Sequence, residues 1–153
     1  MLKNYIIVIF KYTLFTLIFF SFSLPANSEL SVEEIIKGRK ALFSKNYNTA
    51  KRIQTFATKG DFDKAKSLML EMSQNYKNLI EYFPENTKEG FKTEALPAIW
   101  ENKEEFNNLM NKSSNDMVEL ISIIENSDDI KSSLTKFMWG NCKSCHSKFR
   151  AEL

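Results

Sequence analysis

Apolar side chains recur at intervals of three and four residues in four stretches of the chain, and none of these stretches alternates as a half-buried strand would. The first starts at Ser31, an N-cap with Glu34 as its capping-box partner, and runs through Ile35, Leu42, Phe43, Ala50, Ile53 and Ala57 towards Gly60. The second opens at Asp61 and places Phe62, Ala65, Met69, Met72, Tyr76, Leu79 and Phe83 on one seam before Pro84 stops it. Residues 84–98 hold two prolines, Gly90 and mostly polar side chains, so they form the one long connection. A third helix is predicted from Ala98 through Phe106, Leu109, Met110, Met117, Leu120, Ile121 and Ile124. Asn126, Ser127 and Asp128 break it and can cap the next. The last helix carries Ile130, Leu134, Phe137, Met138, Cys142, Cys145 and Phe149 on its apolar face. Short links within each pair of helices make the partners antiparallel neighbours. The expected fold is all-α, an up-down-up-down four-helix bundle.

Chemistry concentrates at one place. Cys142-Lys143-Ser144-Cys145-His146 contains both cysteines and the one histidine of 153 residues, and this spacing reads as a covalent haem c attachment site. The two thiols would add to the porphyrin vinyl groups, and the adjacent imidazole would serve as axial iron ligand. Cysteines three apart on a helix share a face, so both can reach one edge of a macrocycle. A redox dithiol, a partial zinc site and a stray disulfide are the competing readings. Zinc would need further Cys or His ligands, which the sequence lacks.

Haem attachment requires an extracytoplasmic compartment, and residues 1–28 read as the export signal. Lys3 and Lys11 supply positive charge, Tyr12 to Leu24 is an apolar run, and Ala26 and Ser28 satisfy the small-x-small rule before Glu29. A retained anchor is the competitor, since Ile6 to Leu24 nearly suffices to span a bilayer if Lys11 is tolerated. Cleavage removes two of the 21 basic residues and none of the 19 acidic ones, leaving residues 29–153 formally neutral. Charge therefore offers no argument for nucleic acid or for a membrane after cleavage. Residues 29–153 suit a single domain with one core, and with no third cysteine the packing and the haem must stabilise it.

With the motif at the C-terminal end, Gly38-Arg39-Lys40-Ala41-Leu42-Phe43 in the first helix and Pro97-Ala98-Ile99-Trp100 opening the third, the chain resembles cytochrome c′, a family of periplasmic four-helix haem proteins. Ser147-Lys148-Phe149-Arg150 after the motif adds to the likeness, which covers about residues 31–151. The resemblance implies that Arg39 lies near the haem propionates, against the alternative of an arginine reaching out to solvent. It also implies that Phe43 occupies the distal position and that Arg150 flanks His146 on the proximal side. Low-spin relatives place methionine at the Phe43 position. Phenylalanine has no lone pair to donate, so five-coordinate, high-spin iron is expected. Met69, Met72, Met110, Met117 and Met138 all fit packing stripes, with one of them as sixth ligand the alternative. Lys143 and Ser144 read as solvent-side spacers, and Trp100 and Trp139 as core or haem-edge aromatics.

The expected role is a periplasmic protein of a Gram-negative bacterium that binds nitric oxide or carbon monoxide, sequestering or carrying the former. The runner-up is an electron carrier with a periplasmic redox partner. An enzyme is not expected, because no second imidazole exists to serve peroxide chemistry. The family likeness further implies an antiparallel homodimer through the first two helices.

Overall fold

The computed structural model describes residues 29–152, and the expected export signal, residues 1–28, lies outside them. Helix α1 (Val32–Thr58) opens on the expected capping box: Ser31 Oγ accepts from the Glu34 backbone while Glu34 Oε2 accepts from the Ser31 N–H at 2.8 Å. It closes with two reversed bonds, Asp61 N–H to Phe56 O at 3.0 Å and Gly60 N–H to Ala57 O at 3.1 Å, which satisfy carbonyls the helix leaves free. Helix α2 (Phe62–Leu79) follows at once, capped by Asp61, and tightens into a 3₁₀ turn at Ile80–Tyr82 before Pro84.

Two boundaries differ from the sequence expectation. The predicted third helix is divided, with a short α3 (Ala98–Glu101), Asn102 out of helical geometry at φ −124° and ψ 48°, and then α4 (Lys103–Ile123). At this break Trp100 Nε1 donates to Phe83 O and Pro84 O, and Lys103 Nζ donates to Phe83 O. The side chains that tether the loop back to α2 thus set the step. The last helix is capped by Asp129, whose carboxylate accepts from Ser132 N–H at 2.9 Å, rather than by the preceding Asn-Ser-Asp run.

That last helix comprises α5 (Ile130–Leu134), a π-helical turn over Thr135–Trp139, and α6 (Gly140–Phe149). The four helical arms pack as an antiparallel bundle, with α2 central between α1 and α4. The core is continuous from Ala50, Ile53 and Ala57 through Met69, Met72, Met117, Leu120 and Ile124 to Leu134 and Met138, all essentially inaccessible to solvent. Close approach is needed at Gly38, where a Cβ would sit 2.5 Å from Tyr82 Cε1. Any larger residue there would have to displace the Tyr82 ring. No described helix is long and apolar enough to cross a membrane.

Candidate haem site

The π turn sets the platform for the cysteines. Gly140 N–H reaches Thr135 O, five residues back, and a Cβ on Gly140 would press to 3.1 Å of that oxygen. Directly after it, Asn141 is buried and its Nδ2 donates at 2.8 Å both to Phe137 O and to Asp116 Oδ2 of α4. Lys112 completes this group by pairing with Asp116. A buried carboxylate without such partners would be costly, so the network fixes the phase of α6 against α4.

From there the two cysteines diverge slightly. Cys145 is buried, and burial pushes its thiol up to about 11. Cys142 is half-buried, its thiol also raised by burial, with Sγ 3.8 Å from the Tyr76 hydroxyl of α2. Thiols held in their neutral form are poor nucleophiles, which weighs against a redox dithiol. His146 is exposed overall, yet partial burial and the charge of Arg150 lower its proton affinity, with Glu94 opposing. A neutral imidazole has a lone pair to give.

Between α1 and α6 lies a mostly apolar cleft of about 290 Å³. Phe43, Phe83, Ile99, Phe106 and Phe149 form its walls, with Cys145 and His146 on one side and Arg39, Lys40, Glu94 and Arg150 among the polar lining. The Phe43 ring faces the His146 ring at 6.4 Å between centroids and stacks edge-on against Phe83 at the same distance. Among the described residues no methionine lines this cleft. Met69, Met72, Met110, Met117 and Met138 are buried in the bundle core, as packing residues.

Arg39 is only 2% exposed, so it does not reach out to solvent. Its Nη1 donates to Tyr82 O and Thr87 Oγ1, and its Nη2 to Thr87 O and Thr93 Oγ1. The guanidinium also lies 4.8 Å from the Phe83 ring centroid. Burial lowers its pKa to about 10, which leaves it charged at neutral pH. The residue therefore does something the sequence did not suggest: it pins the long connection to α1. Lys40 adds a bond from Nζ to Lys92 O at 3.0 Å. Between these anchors Phe91 and Lys92 adopt left-handed φ of 48° and 55°, conformations disfavoured for side chains with a Cβ.

The same connection grips the chain end. Ala95 and Arg150 form an isolated antiparallel bridge, with Leu96 N–H donating to Phe149 O at 3.1 Å and Ala151 N–H to Glu94 O at 2.8 Å. Arg150 has left the helix, with φ −125° and ψ 137°, and its Nε donates to Glu94 Oε2 at 2.9 Å. Its N–H still donates to His146 O at 3.3 Å, so the four-residue spacing keeps the two residues adjacent while the bridge to Ala95 sets the course of the chain beyond.

A family model described as Cytochrome C′ matches residues 34–150. The chain belongs to the cytochrome c′ family. A cytochrome c′ from Rhodopseudomonas palustris is 32% identical over 123 residues, covering 78% of this chain and 83% of the relative. The solved structure of cytochrome c′ from the same organism superposes with a TM-score of 0.64 at 30% identity, covering 77% of this chain and 96% of that one. A nitric oxide complex of a variant cytochrome c prime from Alcaligenes xylosoxidans shares the fold at 17% identity and TM-score 0.68, covering 82% of this chain and all, 100%, of that one.

As a member of this family the chain is a haem protein, and its residues fit the group. Two thiols and an imidazole stand on one helix face and edge, the opposing walls are aromatic, and arginines border an otherwise apolar cleft. Cys145, His146, Phe43, Arg39 and Arg150 are brought together around this cleft. Cys142 lies one helical turn away against Tyr76. Thr87, Thr93, Glu94 and Tyr76 escaped the sequence reading. Tyr76 showed only as one more seam position, and the other three lie in a connection without periodicity. Of the two tryptophans, Trp100 ties the α2 exit, while Trp139 Nε1 donates to Gln54 Oε1 at 3.0 Å.

Proposed function

We propose that the chain is a periplasmic cytochrome c′ carrying one haem c through thioethers to Cys142 and Cys145, with His146 as axial ligand and residues 1–28 as a cleaved export signal. When bound, the haem supplies an iron centre able to take a diatomic ligand on its open face. The observation that carries this reading is Phe43 lying across the cleft from His146 at 6.4 Å, a ring with no donor atom at the place where a sixth ligand would have to come from.

The residues of the chain do the rest. Phe43, backed by Phe83, presents an apolar surface to the space in front of the imidazole. Dioxygen needs a hydrogen-bond donor for stabilisation, and the ring of Phe43 offers none. Nitric oxide and carbon monoxide need less help, so they are the ligands the pocket favours. The nitric oxide complex known for a protein of the same fold supports the same choice. Arg39 keeps four of its five donors on the protein, leaving Nε as the one for a haem propionate. The protein binds or carries its ligand rather than transforming it, and a homodimer through α1 and α2 is part of the proposal. An electron carrier with a methionine sixth ligand draws no support from a cleft that methionine does not line.

Titration of the reduced, exported protein with nitric oxide tests the reading. A shift of the Soret band at stoichiometric ligand is expected. A low-spin ferrous spectrum unmoved by nitric oxide would leave electron transfer as the function.

A further inference from the structure

Glu94 stands in the wall of the cleft that His146 also lines. Arg150 lines the same cleft and carries the opposite charge. Their side chains are joined at 2.9 Å and are each only about one-third exposed, at 34% and 39%. The join is not a loose surface pairing. The Glu94 carbonyl accepts from Ala151 N–H, and the Ala95–Arg150 bridge fixes both backbones, so neither residue needs to spend side-chain freedom on finding the other. One residue earlier, Thr93 Oγ1 accepts from Arg39 and from Ala95 N–H at 3.2 Å, tying the Glu94 segment to the opposite wall of the cleft.

Arg150 is the C-cap of α6: its N–H still donates to His146 O at 3.3 Å, but its ψ of 137° turns the chain out of the helix. Without a carboxylate at Nε the guanidinium would be free to swing into solvent. We propose that Glu94 is a positioning residue: it holds the Arg150 guanidinium beside His146 and, in doing so, offsets its charge at the iron. The inference rests on His146 being the axial ligand.

A double-mutant cycle read by the midpoint potential of the haem-loaded protein tests it. Removing a nearby negative charge favours the ferrous state, and removing a positive one disfavours it. If Glu94 holds Arg150, E94Q loses its own charge and releases the guanidinium, and the two effects oppose. The upward shift caused by E94Q should therefore be less than half as large in the wild-type background as in the R150Q background. Arg150 Nε–H exchange with solvent should also quicken at least tenfold in E94Q. Because the backbone bonds of Glu94 survive the substitution, E94Q should fold with helicity unchanged. Equal E94Q shifts in both backgrounds, with unaltered Nε–H exchange, would show that Glu94 acts only as a fixed charge and would overturn the inference alone. Exported wild-type protein without haem absorption would overturn the haem reading, and this inference with it.

Discussion

The two ends of the bundle are built on different principles. At the end where α1 turns into α2, the fold is held by packing: Ile53, Ala57, Ala65, Met69, Leu120 and Ile124 are inaccessible, and the cap of α1 is closed by backbone bonds alone. At the other end Phe83, Phe106 and Phe149 are buried but Phe43 is only half-buried and His146 is exposed, and order comes from a polar lattice spun out of one connection. Arg39 takes Thr87 and Thr93 on one wall, and Arg150 takes Glu94 on the other. Apolar burial cannot close the second end, because that would fill the space a cofactor needs. Hydrogen bonds across a loop leave the space open and still fix its walls.

This contrast can be broken from either side. Leu120→Ala in the packed end should cost about 3 kcal/mol of stability through a cavity the neighbours cannot fill, with the haem absorption spectrum unchanged. Chemical denaturation with parallel helix and Soret detection checks it. Arg39→Ala should cost about 2 kcal/mol, since Thr87 O and Tyr82 O lose their donor. Its effect should be local, speeding amide exchange over residues 85–96 while residues 50–72 stay protected. If exchange rises equally at both ends, the two are not separate in construction.

Phe43→Met should be smaller still in stability, about 1 kcal/mol, since the volume is nearly kept. It should be large in spectroscopy, driving the iron towards six-coordination. An unchanged spin state would show that Phe43 does not face the iron. The narrowest effect concerns protein without haem. With the Cys145 thiol raised from 9.0 to about 11 by burial, the folded state holds its proton over a range where the unfolded chain has lost it. Stability of the haem-free form should therefore be intact below pH 9 and fall as pH rises through about 11. The haem-loaded form should lack this step, since its sulfurs would be thioethers.

The packed end was largely legible from the chain. Its residues repeat at helical spacing and Gly60 marked the stop of α1, while Ser31 with Glu34 announced the start of that helix at the opposite end. The attachment motif was legible too, because its meaning is local. The cleft was legible only in part. Phe43 and Arg39 could be placed through the family likeness, but the bonds Arg39 makes reach 43 to 54 residues along the chain into a loop with no period. The π turn left no trace in the apolar rhythm, and the Asn102 break follows from tethers to Phe83 that spacing does not encode. Glu94 was one acidic residue among many until the ion pair with Arg150 gave it a partner.

The central claim is a haem fixed at Cys142, Cys145 and His146 whose other face, covered by Phe43, has no protein ligand. The absorption spectrum of the reduced, exported protein tests it most directly. The account predicts a single broad high-spin Soret band that shifts when nitric oxide is added. Sharp, split low-spin bands that nitric oxide leaves in place would contradict it.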